Sequence, residues 1–143
     1  MIARACTTVR FVDTNVLLYA ISTDPAEQRK RGIAERLLAD RELALSNQVL
    51  QEFYVQATRV TREDRLSHEQ AAALVTAFGR YSVQATSVEL VHAAMNICER
   101  YGLSYWDAAI VAAAGMLDCT ELLSEDLSHG QSFDGLVVVD PFR

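Results

Sequence analysis

Val9-Arg10-Phe11-Val12-Asp13-Thr14-Asn15-Val16-Leu17-Leu18 is the stretch on which the fold turns. An apolar strand, Val9 to Val12, stops on an acid, and the apolar run resumes at Val16. Short apolar segments recur at Leu43-Ala44-Leu45, Tyr81 to Ala85, Thr120 to Leu123 and Leu136 to Val139. Helical patterns fill the spaces between them. Strands that alternate with helices predict a three-layer α/β/α sandwich around a mostly parallel sheet. Ligand sites in such sheets form beyond the carboxyl ends of the strands, which is where Asp13 falls. Asp13 also suits a helix N-cap, with Asn15 as a turn former.

The helices announce themselves by their caps. Asp24-Pro25-Ala26-Glu27 combines an N-cap acid, proline at the first helical position and a Glu at the third. Ile33, Ala34, Leu37 and Leu38 then share a face. Ser46-Asn47 opens a helix expected to run to about Val60. Ser67-His68-Glu69-Gln70 is a capping box ahead of Leu74, Val75 and Phe78. Ser87 starts a helix whose face is read as Val88, Val91, Met95 and Cys98, and Gly102 ends it. Ser104-Tyr105-Trp106-Asp107 opens an alanine-rich helix to Leu117, apolar nearly all round and so expected to be buried.

With 143 residues, the chain is expected to form a single domain, 1–143. At this length roughly 70% of the unfolded surface is buried, so no disulfide or structural metal is needed. The longest nearly apolar run, Ala108 to Leu117, is too short to cross a bilayer. Arg4 interrupts the opening Met1-Ile2-Ala3-Arg4-Ala5-Cys6, where a signal peptide needs apolar residues. Cys6, Cys98 and Cys119 form no C-x-x-C pair and fit free thiols in a reducing cytoplasm. His68, His92 and His129 stand apart and offer no zinc site; His92 reads as half-buried, the other two as exposed. The net charge of -6 argues against strong nonspecific binding to nucleic acid. Eight of the thirteen basic residues nevertheless lie between Arg29 and Arg65, and Arg pairs well with phosphate.

The acids raise the question of function. Glu52 falls in a helical stripe of Val49, Phe53, Gln56, Ala57 and Val60, where a carboxylate must be paired, protonated or bound to a cation unless its head reaches water. Asp107 is the third residue of a helix, which suits both a capping box and the edge of a cleft. Glu125-Asp126 follow a strand, as Asp13 does. Carboxylates gathered in one small domain repel each other, and an oxygen-ligand cation is a reason to collect them. Without Cys or His pairs, Mg²⁺ and Mn²⁺ are the candidates.

Val12-Asp13-Thr14-Asn15-Val16-Leu17 resembles the opening motif of PIN-domain nucleases. Ser46 to Phe53 is similar to the segment carrying that family's glutamate. Tyr105-Trp106-Asp107-Ala108 resembles its third acid motif, and Leu123-Ser124-Glu125-Asp126-Leu127 its fourth, ahead of a family-like tail, Val137 to Phe142. The resemblance covers essentially the whole chain in order, and within the family the VapC-type toxins of bacterial toxin–antitoxin pairs are most alike. It implies a magnesium-dependent endoribonuclease, with Mn²⁺ as a possible substitute, that leaves a 5′-phosphate and a 3′-hydroxyl. It further implies a homodimer held inactive by a VapB-type antitoxin. Asp13, Glu52, Asp107 and Asp126 match the family's acid quartet, as catalytic and metal-binding residues. Asn15 and Ser124 match its polar helpers. The family's pattern, a small hydroxyl residue, any residue and then Asp, implies Asp126 as the fourth acid and leaves Glu125 as a solvent-facing neighbour.

Two other readings compete. A haloacid-dehalogenase-type phosphatase also puts an Asp after its first strand, but wants a second Asp where this chain has Asn15, and a Lys near the later acids. The only lysine is Lys30. A receiver domain fails for the same missing Lys. A noncatalytic PIN-fold interaction module would keep the fold and lose the chemistry, against which stands the presence of all four acids.

Overall fold

The structure, a computed structural model, describes residues 9–143. The opening Met1–Cys6 read above, with Cys6, lies outside the described residues. Six strands form one sheet: β1 (Arg10–Val12), β2 (Leu43–Ser46), β3 (Ser82–Gln84), β4 (Glu121–Leu123), β5 (Ser132–Phe133) and β6 (Leu136–Val139). Their order is β3-β2-β1-β4-β6-β5. All neighbours are parallel except β5 and β6. The chain moves outward from β1 to β2 and β3, then returns to the other side of β1 to lay down β4. The order therefore reverses between β1 and β4, and ligand crevices of open α/β sheets lie beyond the carboxyl ends of strands at such a switch point.

The helices are α1 (Thr14–Ala20), α2 (Gln28–Leu38), α3 (Asn47–Ala57), α4 (His68–Phe78), α5 (Val88–Tyr101) and α6 (Tyr105–Met116). In one layer α1 packs on α2 and α3, and α3 on α4. In the other, α5 packs on α6, and α6 lies against β2 and β3. The sheet core is formed by Phe11, Val12, Leu45, Leu122, Leu123 and Val138, all essentially inaccessible to water. Ala108 through Ala114 are buried around the whole circumference of α6, because small side chains let it approach both the sheet and α5.

The caps at Ser67 and Gly102 behave as the sequence indicates, whereas the start at Asp24 forms a short turn ahead of the helix. Asp24 caps a 3₁₀ turn, Pro25–Glu27, that leads into α2. Ser67 and Gln70 complete a reciprocal box on α4. Gly102 ends α5 in the left-handed region at φ 69°, where a side chain is strained.

Two expectations are corrected, and one strand is added. α3 ends at Ala57 rather than near Val60; the Ala57 carbonyl accepts from Leu66 N, and Val60 is 80% exposed. On α5 the inward residues are Leu90 and Ala94, whereas Val88 and Met95 are largely exposed. The stripe is thus rotated from the one expected, which carries His92 to the surface. The antiparallel β5 was not anticipated. It pairs with β6 across Asp134-Gly135, both at positive φ, the geometry of a tight two-residue hairpin.

Candidate functional site

Asp13 stands at the crevice, directly after β1. Its amide donates to Leu123 O at 3.0 Å, which fixes it beside the end of β4. The side chain is buried and caps α1, with Oδ1 accepting from Thr14 N at 2.8 Å. Capping leaves Oδ2 free to accept from Ser124 Oγ at 2.7 Å. Ser124 is the residue after β4 and is fully buried, and its hydroxyl also accepts from Asp126 N at 3.1 Å. Asn15, the second residue of α1, turns its Nδ2 toward Ser124 Oγ at 3.2 Å and Asp126 Oδ2 at 3.1 Å. Residues from both ends of the chain thus share one hydrogen-bonded cluster.

Glu52 projects from α3 toward the same end of the sheet. Thr14 Oγ1 donates to its Oε2 at 2.6 Å, and Gln48 Nε2 to its Oε1 at 2.8 Å. Gln48 also donates to Trp106 O at 3.2 Å, linking α3 to the start of α6 and to the residue beside Asp107. The Asp107 amide donates to Ser104 Oγ at 3.2 Å, but its carboxylate makes no return bond to the cap. Only half of that capping box forms, and the carboxylate has no hydrogen bond or ion pair among the described residues.

The electrostatics single out Asp13. Burial is the largest influence and pushes its pKa up to about 6. Hydrogen bonds from Ser124 and Thr14 pull it down, while the charges of Asp126 and Glu52 push it up. The five side-chain ion pairs among the described residues join Arg10–Asp40, Lys30–Glu125, Arg31–Glu35, Arg62–Asp64 and Arg100–Asp134. None includes Asp13, Glu52, Asp107 or Asp126. The acids of the crevice are therefore without a basic partner.

Glu125 is corrected from a solvent-facing neighbour. It binds Lys30 at 2.8 Å and the Tyr19 hydroxyl, and Lys30 lies over the Tyr19 ring. The fold thus brings Lys30 beside the later acids despite its distance in sequence. The phosphatase reading still lacks its second acid, because Asn15 occupies that position. Sequence reasoning gave no role to Thr14 or Gln48. Gln48 carried a usable signal, since it lies four residues before Glu52 and so on the same helix face.

The donors in the crevice suit a hard divalent ion in kind: they are oxygen atoms, and buried Asp13 has no cation to offset its charge. The set is not closed in the structure. Among the described residues no three Asp, Glu, His or Cys side chains gather closely enough to hold a metal. Thr14 and Gln48 instead hold Glu52, while Asn15 bridges Ser124 and Asp126. Among the described residues no helix is long and apolar enough to cross a membrane.

Residues 10–130 match the PIN domain family model. No curated protein sequence matches the chain. Among solved structures, one similar chain belongs to a toxin–antitoxin complex from Klebsiella pneumoniae; TM-score 0.69, 21% identity, covering 92% of this chain and 97% of that one. Mycobacterium tuberculosis VapC20, described as a sarcin–ricin-loop-cleaving toxin, aligns with TM-score 0.62 and 22% identity over 82% of this chain and 91% of its own. A chain of DNA-bound VapBC from Salmonella typhimurium aligns with TM-score 0.64 and 20% identity over 94% and 99%.

Proposed function

The chain belongs to the PIN domain family, and from that membership we propose that it is a metal-dependent endoribonuclease acting as the toxin of a bacterial toxin–antitoxin pair. The observation that carries this reading is buried Asp13, joined to Asp126 through Asn15 and Ser124, with Glu52 in electrostatic range and no basic side chain paired to any of them. Asp13 and Asp126 would hold Mg²⁺ or Mn²⁺, with Glu52 and Asp107 completing the set. Such an ion, when bound, lowers the pKa of a water and stabilises charge on the phosphoryl oxygens. Ser124 holds Asp13 Oδ2 in place and Asn15 steers Asp126. Thr14 and Gln48 fix both oxygens of Glu52.

The reading extends to partners. An acidic crevice lacking its own cation suits an inserted Arg or Lys, which is how a VapB-type antitoxin would silence it. Val88 and Met95, apolar and exposed on α5, support a homodimer. The unpaired thiols Cys98 and Cys119 support work in the cytoplasm, and residues 1–143 are taken as one nuclease domain.

Purified wild type and Asp13→Asn, each assayed on RNA with EDTA, Mg²⁺ or Mn²⁺, test the reading. Wild type should cleave only with a divalent ion, and the variant should lose cleavage while keeping its fold by circular dichroism. Equal cleavage by both proteins, or cleavage in EDTA, overturns it. A noncatalytic PIN-fold binding module is favoured by one observation, that three carboxylates do not close round a point. It expects no cleavage by wild type in any metal.

A further inference from the structure

Trp106, the only tryptophan in the chain, is the second residue of α6 and is 65% exposed. Tryptophan is on average well buried, because its ring has so much apolar surface to hide. This ring is nevertheless fixed. Tyr105 packs against it in a T-shaped contact, with centroids 5.0 Å apart and planes at 79°. The Trp106 carbonyl accepts from Gln48 Nε2 at 3.2 Å, and the same nitrogen donates to Glu52 at 2.8 Å. Trp106 also directly precedes Asp107, which puts their Cα atoms about 3.8 Å apart. One residue thus joins an exposed aromatic ring to two of the four acids of the proposed site.

The surroundings indicate what the ring can take. Ser104 and Asp107 flank the Tyr105-Trp106 pair in the chain, and Gln48 is bonded to its backbone; all three are polar. The most exposed of the other apolar side chains, Val55, Val60, Val88 and Met95, lie on α3, the loop after it and α5. A protein partner covers a broad patch with an apolar centre. One ring among polar groups suits a single flat apolar face. A nucleobase is such a face, and any base can stack on an aromatic ring. Charge points the same way. The net charge is -6, and acids without a basic partner repel a phosphate backbone. Stacking is indifferent to that charge, so it can hold RNA where electrostatics cannot.

We propose that Trp106 is the stacking platform for a nucleobase beside the cleaved phosphodiester bond. The inference rests on the nuclease reading above and deepens it, because it states what form of RNA the site accepts. In a duplex each base has a neighbour on both faces, whereas in a loop, a bulge or an end a base can turn out and lie on a ring. The nucleotide that meets Trp106 is therefore unpaired. Tyr105 already restrains the ring, and the Gln48 bond its backbone, so little freedom is lost when a base arrives.

Because the chain has one tryptophan, its intrinsic tryptophan fluorescence reports on this ring alone. The test starts from an RNA oligonucleotide that wild type cuts with Mg²⁺ or Mn²⁺, selected from a randomised pool. In EDTA the same oligonucleotide should quench the fluorescence as it binds, a readout that needs no chemistry. An abasic site at one position beside the cut should remove the quenching and raise KM about tenfold, the scale of one base–aromatic stack. Trp106→Ala should raise KM for the intact RNA similarly, with kcat and melting temperature near those of wild type. It should be indifferent to the abasic site, as coupled partners are. Trp106→Phe should keep most of the affinity. Absence of quenching at any RNA concentration overturns the stack, as does an unchanged KM in Trp106→Ala or an abasic penalty which that variant retains. Fluorescence that changes with protein concentration before RNA is added also overturns it, because a second copy of the chain then covers the ring. If wild type cuts no RNA at all, the nuclease reading falls and the stack with it; cutting without quenching removes the stack alone.

Discussion

Asp13 unites two roles that sequence reading sets against each other. Its Oδ1 caps α1 while its Oδ2 accepts from Ser124 Oγ, so the cap and the role proposed above fall on different oxygens. Its raised pKa has a consequence for stability. The ordinary value is 3.8 and the folded value about 6, so folding favours the protonated form. The contribution of this group is therefore fully present below about pH 4 and is lost as pH rises through 6. Above that the deficit is constant, on the order of 3 kcal/mol. Asp13→Asn keeps the cap and removes the buried charge. In EDTA at pH 7.5 the variant should melt at or above wild type, and the difference should shrink toward pH 4. Mn²⁺ at ten times its dissociation constant should stabilise wild type by roughly 1.4 kcal/mol and the variant much less. Thermal melts of both proteins at the two pH values check this; a variant that is destabilised at both would make the Asp13 charge structural.

At the start of α6 the cap is made by one residue and the unpaired carboxylate belongs to another. Ser104 Oγ accepts from Asp107 N, whereas the Asp107 carboxylate leaves the cap unanswered. Ser104→Ala should cost about 1 kcal/mol of stability. Asp107→Asn should cost less, no more than the roughly 0.3–1 kcal/mol of a charge near a helix N-terminus, yet eliminate metal-dependent cleavage. Urea melts beside RNA assays distinguish the two variants, and a large stability loss in Asp107→Asn would return that residue to the cap. Elements of this kind were legible where their chemistry is local. Ser67-x-x-Gln70 and Asp24-Pro25 carry their own caps, and Gly102 its own stop. The sequence was less legible where neighbours decide. The face of α5 is chosen by what α6 offers it, so Val88 and Met95 read as core and lie outside. β5 has two residues and exists because β6 pairs with it; Asp134-Gly135 was the only local trace.

Across the molecule, the acids could be read singly as residues after strands or at helix starts. That Asp13 and Asp126 meet through Ser124 and Asn15 could not, because it depends on β4 lying beside β1, a pairing that no local pattern encodes. For the same reason Lys30 arrives unannounced beside Glu125. The exposed apolar pair on α5 belongs to this scale too. Replacing Val88 and Met95 together by Asp should convert a dimer to a monomer in light scattering with the melting temperature little changed; a wild type that is already monomeric removes the dimer. The pairing of β1 with β4 also sets a schedule. During synthesis the chain emerges from its first residue onward, and Asp13 waits for some 110 further residues before Ser124 and Asp126 exist. At about 5–20 residues per second that interval is roughly 5–20 s. A nascent chain on the ribosome therefore cannot join Asp13 to Ser124 and Asp126 until that interval has passed, and a message broken before the codon for Leu123 yields a product that can never do so.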